Sequence, residues 1–423
     1  MTFPQPRYRL LDRDTVSAAS LDQQLPDDHP ARALWDFTQG LDFSAFDADV
    51  KAVVGHPGKP PFPPQLLFSL WLFALIDGVS SARRLARLCT RDLPYQWLCG
   101  GHRPDYHTLS DFHARHHDRL HRLFVDHVAA LRSQGLITLR RVTLDGTKRP
   151  GSAGNASHHR EPTLRRHLAE AEEHVRRWEQ ARAADGLTAR QEAARRRGAR
   201  ERLQRVRRAL DQVHALQRAR ARCKRPTARP EEARANEADP DATRMKQGDG
   251  GFRIGYNVQT VTDEAFGLVV TTDVITQGND QGQLSAQLSR VHQEQGARPA
   301  EVLLDAGYAS TEDIEQAGGA RVVVLMPPRD QKKEQAAGKD PYAPKRRDSA
   351  AVAGWRARMG TAAARQLYKR RCAVAEVIHA RMVQRGWRRF RLRGLAKART
   401  EGLWQALAHN VSRLLALGVL VGG

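Results

Sequence analysis

Hydrophobic side chains recur at helical spacing through residues 31–130 and alternate at strand spacing in several segments after residue 141. The chain therefore reads as a helical N-terminal part followed by an α/β part. ALWDFTQGLDF opens the helical part, GHPGKPPFPP interrupts it, and an apolar helix follows from about Gln65 to Ile76. Leu66, Leu67, Leu70, Trp71, Phe73 and Ala74 recur there at spacings of three and four, which predicts one broad buried face. Gly78 breaks that helix, and Ser80 or Ser81 is placed to cap ARRLARLC. A third helix is predicted from Thr108-Leu109-Ser110, with Phe112, Leu120, Leu123 and Phe124 inward and a face of histidines and arginines outward. Short helices with a basic outer face suit a helix-turn-helix DNA reader, and equally a small bundle with a solvated basic face. Residues 1–30 are polar and punctuated by proline, as in an N-terminal arm.

The strand pattern begins at RVTLDGTK, 141–148. A polar loop, GSAGNASHHR, leads into a charged insertion running to about residue 245. Leu164, Leu168, Ala171, Val175 and Trp178 follow a four-three repeat, and so do Ala199, Leu203, Val206, Leu210 and Val213. With turn chemistry at Asp185-Gly186-Leu187-Thr188 between them, the two runs predict an antiparallel helical hairpin. Residues 225–250 read as loop. FRIGYNVQTV at 252–261 and LVVTTDVI at 268–275 predict a β-hairpin, and Asn279-Asp280 is expected to cap the next helix. EVLLD at 301–305 and RVVVLM at 321–326 predict two more strands around a helix from Thr311. Residues 327–360 read as basic loop, and helices are predicted over 361–385 and about 395–417.

Charge narrows the partner. The chain of 423 residues carries a formal net charge of +22, which favours a polyanion, nucleic acid first. The longest apolar stretch, LLFSLWLFALI at 66–76, is too short to span a bilayer, and MTFPQPRYRLLDRD contains no signal-peptide core. A cytoplasmic, nucleoid-associated protein is expected. Its four cysteines form no CxxC pair, which gives no support to a disulfide framework or a zinc knuckle.

Three acids then stand out. Asp145-Gly146 and Asp305-Ala306 each close a short apolar strand, and Glu376 lies in the helical run YKRRCAVAEVIHARM. Divalent magnesium or manganese needs oxygen ligands on rigid elements drawn from distant parts of the chain, and two such ions can promote an in-line displacement at phosphorus. Among the competing acids, Asp263 falls in a turn and Asp280 at a helix start, where acids have structural uses; Asp273 lies in a strand.

Taken together these segments resemble a bacterial insertion-sequence transposase of the DDE superfamily. GKPPFPPQLLFSLWLFALIDGVSSARRLARLCTRDLPYQWLCGG at 58–101 and RPDYHTLSDFHARH at 103–116 are similar to that family's N-terminal helical domain. LDGTK at 144–148 with NAS at 155–157 resembles its first-aspartate motif, and LLDAGYAS at 303–310 the second. GGFRIGYNVQTVTDE at 250–264 and NDQGQL at 279–284 resemble the core between them. YKRRCAVAEVIHARM at 368–382 resembles the tyrosine-arginine-glutamate signature, and RGLAKARTEGLWQALAHNVSRLL at 393–415 the helix that follows it.

The resemblance implies a ribonuclease H-like mixed-sheet catalytic domain over 136–423, interrupted by the 160–245 insertion, with a DNA-binding helical domain at 31–135. It implies Asp145, Asp305 and Glu376 as the ligands of Mg²⁺ or Mn²⁺, two ions in all, with Tyr368 and Arg371 against DNA near the cut. Arg388 and Arg389, in GWRRFRLR at 386–393, are expected to hold backbone phosphates. The family places a lysine seven residues after the glutamate; this chain has Val383 there, with Arg381 or Arg385 as replacements. The expected substrates are double-stranded terminal repeats and target DNA, bound by a homodimer or larger synaptic assembly. A structure-selective nuclease of the same fold, or a non-catalytic descendant, shares these features.

Overall fold

The computed structural model describes residues 19–48, 60–180, 187–223 and 229–420. Of the expected arm, residues 1–18 lie outside them. In the remainder, a capped turn of helix, Leu21–Gln24, leads to Leu25, which is buried in the main core.

A mixed sheet organises the second half. Its central strand β1 (Arg141–Pro150) pairs antiparallel with β5 (Phe252–Asp263), the longest strand. Three short strands of three or four residues, β2 (His158–Arg160), its partner β3 (Arg234–Asn236) and β4 (Thr243–Lys246), fall in segments expected to be loop. β4 and β6 (Val269–Ile275) pair with opposite ends of β5. On the other flank β1 runs parallel to β7 (Glu301–Leu303), and β7 parallel to β8 (Val323–Leu325). Apart from the short β4, three antiparallel strands extended by two parallel ones and flanked by helices make the ribonuclease H-like arrangement expected from the sequence.

Helices depart from expectation in four places. The helix Pro64–Ile76 is buried on all sides from Leu66 to Leu75, rather than on one face, because other elements surround it. The histidine-rich run breaks at Arg115-His116, where His116 takes a left-handed conformation (φ 64°) between helices Tyr106–Ala114 and His117–Ser133. The 361–385 run divides at Lys369-Arg370 into Ala362–Tyr368 and Arg371–Gln384, which resets the phase of the side chains that follow. The expected loop at 327–360 also contains the helix Ala350–Gly360, whose Trp355 is buried.

The inserted hairpin is present as Glu161–Gln180 and Ala189–Ala221, the second opened by a Thr188–Gln191 capping box; Asp185 and Gly186 lie outside the described residues. Ion pairs Glu172–Arg207 and Glu179–Arg200 fix it as antiparallel, since the partner number falls as the first rises. A small separate core of Leu164, Ala209, Val213, Ala233 and Ala235 joins its root to β3.

The helix Leu395–Ala416 binds the two halves together. Every residue from Thr400 to Val411 is buried. Gly402 lets it approach β6: a Cβ there would lie 2.9 Å from Val274 Cγ2. The Asn410 amide grips the Val269 backbone at 2.7 and 2.9 Å, and the Trp404 indole donates to the His113 carbonyl in the helical half. One continuous hydrophobic core therefore runs from Leu34 and Trp71 to Val142 and Val324.

Candidate active site

The register of the sheet brings the two aspartates together. Thr143 and Leu303 are the last paired residues of β1 and β7, and Asp145 and Asp305 lie two positions beyond them on parallel neighbours. They therefore emerge side by side, roughly one inter-strand spacing of ~4.8 Å apart along the sheet. β1 continues past Asp145, so this acid sits within its strand rather than at the end. Asp305 instead caps the turn Ala306–Tyr308, accepting from the Gly307 N–H at 2.7 Å.

Both carboxylates face one guanidinium. Arg371 Nη2 donates to Asp145 Oδ1 at 2.7 Å and lies 3.8 Å from Asp305 Oδ2. His379, two turns along the same helix, has Nε2 3.4 Å from Asp145 Oδ2. Burial drives the His379 pKa down to about 3, helped by Arg149, so the ring is neutral. Burial raises Asp145 to about 6; Asp305 and Asp280 push the same way and Arg371 opposes them.

A buried polar layer supports the pair. The Asp280 carboxylate accepts from Asn257 at 2.7 Å, Gln259 at 2.8 Å and the Lys148 ammonium at 2.6 Å. Tyr308 donates its hydroxyl to Gln259 Oε1 at 2.5 Å. Gly146 makes room for this layer, because a Cβ there would stand 2.3 Å from Asp280 Oδ1. Asp280 is thus no helix cap, as the helix Gln283–Gln295 begins only after Gly282. Asp263, by contrast, accepts from the Thr138 and Leu139 N–H groups, and Asp273 pairs with Arg290 and Arg399; both hold loops or helices in place. Arg149 ties β1 to the 371–384 helix: its buried guanidinium donates to the carbonyls of Trp387 and His379 and stacks 4.5 Å from the Trp387 ring centroid.

The remaining expected residues are dispersed. Glu376 is exposed on the outer face of its helix and is not paired with either aspartate. Five residues beyond Arg371, it is turned about 140° around the axis from the side chain that reaches Asp145. Tyr368 is half-buried against the core, and burial raises its hydroxyl pKa while the neighbouring Arg371 opposes that rise. In GWRRFRLR, Trp387 and Phe390 are buried while Arg388 and Arg389 are exposed, Arg389 donating to the Gly151 carbonyl. The buried Glu401 carboxylate holds that loop through the N–H groups of Arg391 and Leu392 and the Trp387 indole.

A cavity of about 790 Å³ opens beside the acids, lined by Gly146, Lys148, Lys246, Gly307, Arg329 and Val383 among others. Arg381 and Arg385 line a different one of about 270 Å³, with His409 and Arg413. Sequence reading overlooked His379, Gln259, Tyr308 and Arg149 and set Asp280 aside. All five lie inside or next to segments that carried the family resemblance, and that was the available signal.

Two family models match: Transposase domain (DUF772) over residues 19–115, and Transposase DDE domain over residues 226–411. Together they cover most of the chain. The chain belongs to the DDE transposases. It is therefore an enzyme of metal-dependent DNA strand cleavage and transfer; in this transposase the first match falls within the helical half and the second within the α/β half. The second match contains Asp305 and Glu376; Asp145 lies between the two. No curated protein and no solved structure matches the chain.

Proposed function

We propose that Asp145 and Asp305 are the carboxylates that hold the transposase's divalent ions, two of Mg²⁺ or Mn²⁺. The observation that carries this is the convergence of both on one guanidinium nitrogen, a place already suited to positive charge. The donors fit a hard cation: carboxylate oxygens from rigid elements, with the Lys148–Asp280 pair alongside. Bound there, the ions activate the attacking hydroxyl and stabilise the leaving oxygen of an in-line displacement.

The chain's own residues position and neutralise. Arg371 balances the two acids in the metal-free protein and, next to Tyr368, would offer positive charge to a scissile phosphate. Glu376 is the third acid by its place in the signature; Asp280 is the third acid by proximity to Asp145. Cleavage of a supercoiled plasmid carrying the element's ends decides between them. Asp145→Asn and Asp305→Asn should abolish cutting while DNA affinity stays within a few-fold. Of Glu376→Gln and Asp280→Asn, the variant that retains cutting excludes that residue as the third ligand. Wild-type cutting by Asp305→Asn would refute the assignment.

DNA enters along the acid-side cavity, where Lys246 and Arg329 are exposed and line the same walls as Val383. They supply the phosphate contacts that a lysine at 383 would make, and Arg388 and Arg389 extend the basic track. The helices of 31–135 read terminal repeats, and synapsis of two ends calls for a homodimer or larger. Among the described residues no helix is long and apolar enough to cross a membrane, and access to DNA supports a cytoplasmic, nucleoid-associated enzyme.

A further inference from the structure

The root of the inserted hairpin gathers two histidines and a glutamate from separate elements. His159 lies in β2, His167 one to two turns into the helix Glu161–Gln180, and Glu237 directly after β3. The β2–β3 pairing sets His159 opposite Ala235, and the Glu237 N–H donates to the Ser157 carbonyl at 2.7 Å, so the backbone fixes the approach. His167 Nδ1 is 2.6 Å from Glu237 Oε2, and His159 Nε2 is 3.9 Å from the same oxygen. The rings meet edge to face at 84°, and one ligating atom from each of the three residues falls within 4.8 Å of the others. Among the described residues, no other trio of histidine, cysteine or acidic side chains is this close.

We propose that His159, His167 and Glu237 form a zinc site that clamps the entrance of the insertion to its exit. Tetrahedral Zn²⁺ with bonds of ~2.0–2.1 Å sets donors roughly 3.3 Å apart, so the 2.6 Å contact opens and the 3.9 Å contact closes by well under ~1 Å each. Two imidazole nitrogens and one carboxylate oxygen leave a fourth position for water, and suit zinc better than a hard oxygen-seeking ion.

The surrounding cations reinforce that selectivity. Arg166 Nη2 lies 3.3 Å from His167 Nε2, Arg202 Nε 4.0 Å from Glu237 Oε1, and Arg234 belongs to the paired strand. One carboxylate among three guanidiniums offers little to Mg²⁺, whereas neutral imidazoles bind through nitrogen. Arg166 is largely exposed and can swing away as the His167 proton moves from Nδ1 to Nε2, while Arg202 stays as partner to the second glutamate oxygen. His167 and Glu237 are 70 residues apart, so the ion closes the whole hairpin into a loop. Neither matched region contains the two histidines.

The test uses the full chain, stripped with chelator and titrated with Co²⁺. The proposal expects one equivalent giving the strong visible absorption of tetrahedral, histidine-ligated cobalt, displaced by Zn²⁺. His159→Asn and His167→Gln should each lower that affinity by about tenfold or more, with unchanged far-ultraviolet circular dichroism. Ions held by the catalytic carboxylates absorb only weakly, so they do not imitate the signal. Absorption that persists in both histidine variants, or wild-type protein that takes up cobalt with weak absorption only, would overturn the proposal. Zn²⁺ should also raise the melting temperature of wild type and of Asp305→Asn but not of His167→Gln; an equal rise in all three would overturn it as well.

Discussion

Acidification is the sharpest probe of the carboxylate pair. Burial and the neighbouring Asp305 and Asp280 carboxylates hold Asp145 near a pKa of about 6 in the metal-free protein, against an ordinary value of 3.8. With Asp145 as the metal ligand proposed above, metal binding must displace that proton. At pH 7 about ten molecules in eleven have Asp145 ionised; at pH 5 about one in eleven does. Apparent affinity for Mn²⁺ should thus fall about tenfold from pH 7 to pH 5, most of it below pH 6. An aspartate at its ordinary value would lose less than about a tenth of its ionised form over that range. Free Mn²⁺ can be counted by electron paramagnetic resonance, with titration calorimetry in buffers of different ionisation enthalpy reporting the proton. Nearly one proton should be released per ion at pH 5 and about a tenth of one at pH 7. An affinity constant within twofold across that range, in protein still folded by circular dichroism, would refute the reasoning.

Other consequences can be checked independently. Lys246→Ala with Arg329→Ala should weaken DNA binding and lower the slope of log affinity against log salt by about two, as read by fluorescence anisotropy. Gly146→Ala forces a methyl against Asp280 and Gln259 and should destabilise the fold by about 3 kcal/mol in urea titration. Stability itself should fall from pH 7 to pH 5. His113, His127, His379 and His409 are held by burial at pKa values of about 3, 4, 3 and 4, so the unfolded chain takes up protons that the folded chain refuses. Asp145 and Glu401, raised to about 6 and 7, act in the opposite sense and return part of the loss. The balance is a loss of about 4 kcal/mol, to be read from denaturation midpoints at the two pH values.

The features legible beforehand were those with a repeating signal. Strand alternation located β1, β5 and β6; the four-three repeats found the hairpin; the acids that follow apolar runs gave Asp145 and Asp305. Parallel register then explains why those two belong together, a relation between distant segments that no local pattern encodes. The missed features lack periodicity. β2, β3 and β4 are three or four residues long, too short to alternate visibly. The break at Lys369-Arg370 has neither proline nor glycine to announce it, and it decides that Arg371 and His379, rather than Glu376, face the aspartates. Gln259, Asp280 and Tyr308 are polar groups buried in the sheet and its adjoining loops, where only the full hydrogen-bond network shows their use.

The buried helix at Leu395–Ala416 bears on how such enzymes can be recombined. It is the last long element of the chain, yet it fills the space between the first helices and β6, so the amino-terminal part has no complete interior of its own. An exchange of helical heads with a junction near residue 135 would carry over a bundle whose central packing partner stays behind. A workable graft has to move the carboxy-terminal helix together with the head, or redesign its Trp404 face. Here the helical head and the helix Leu395–Ala416, far apart in sequence, are obliged to travel as one.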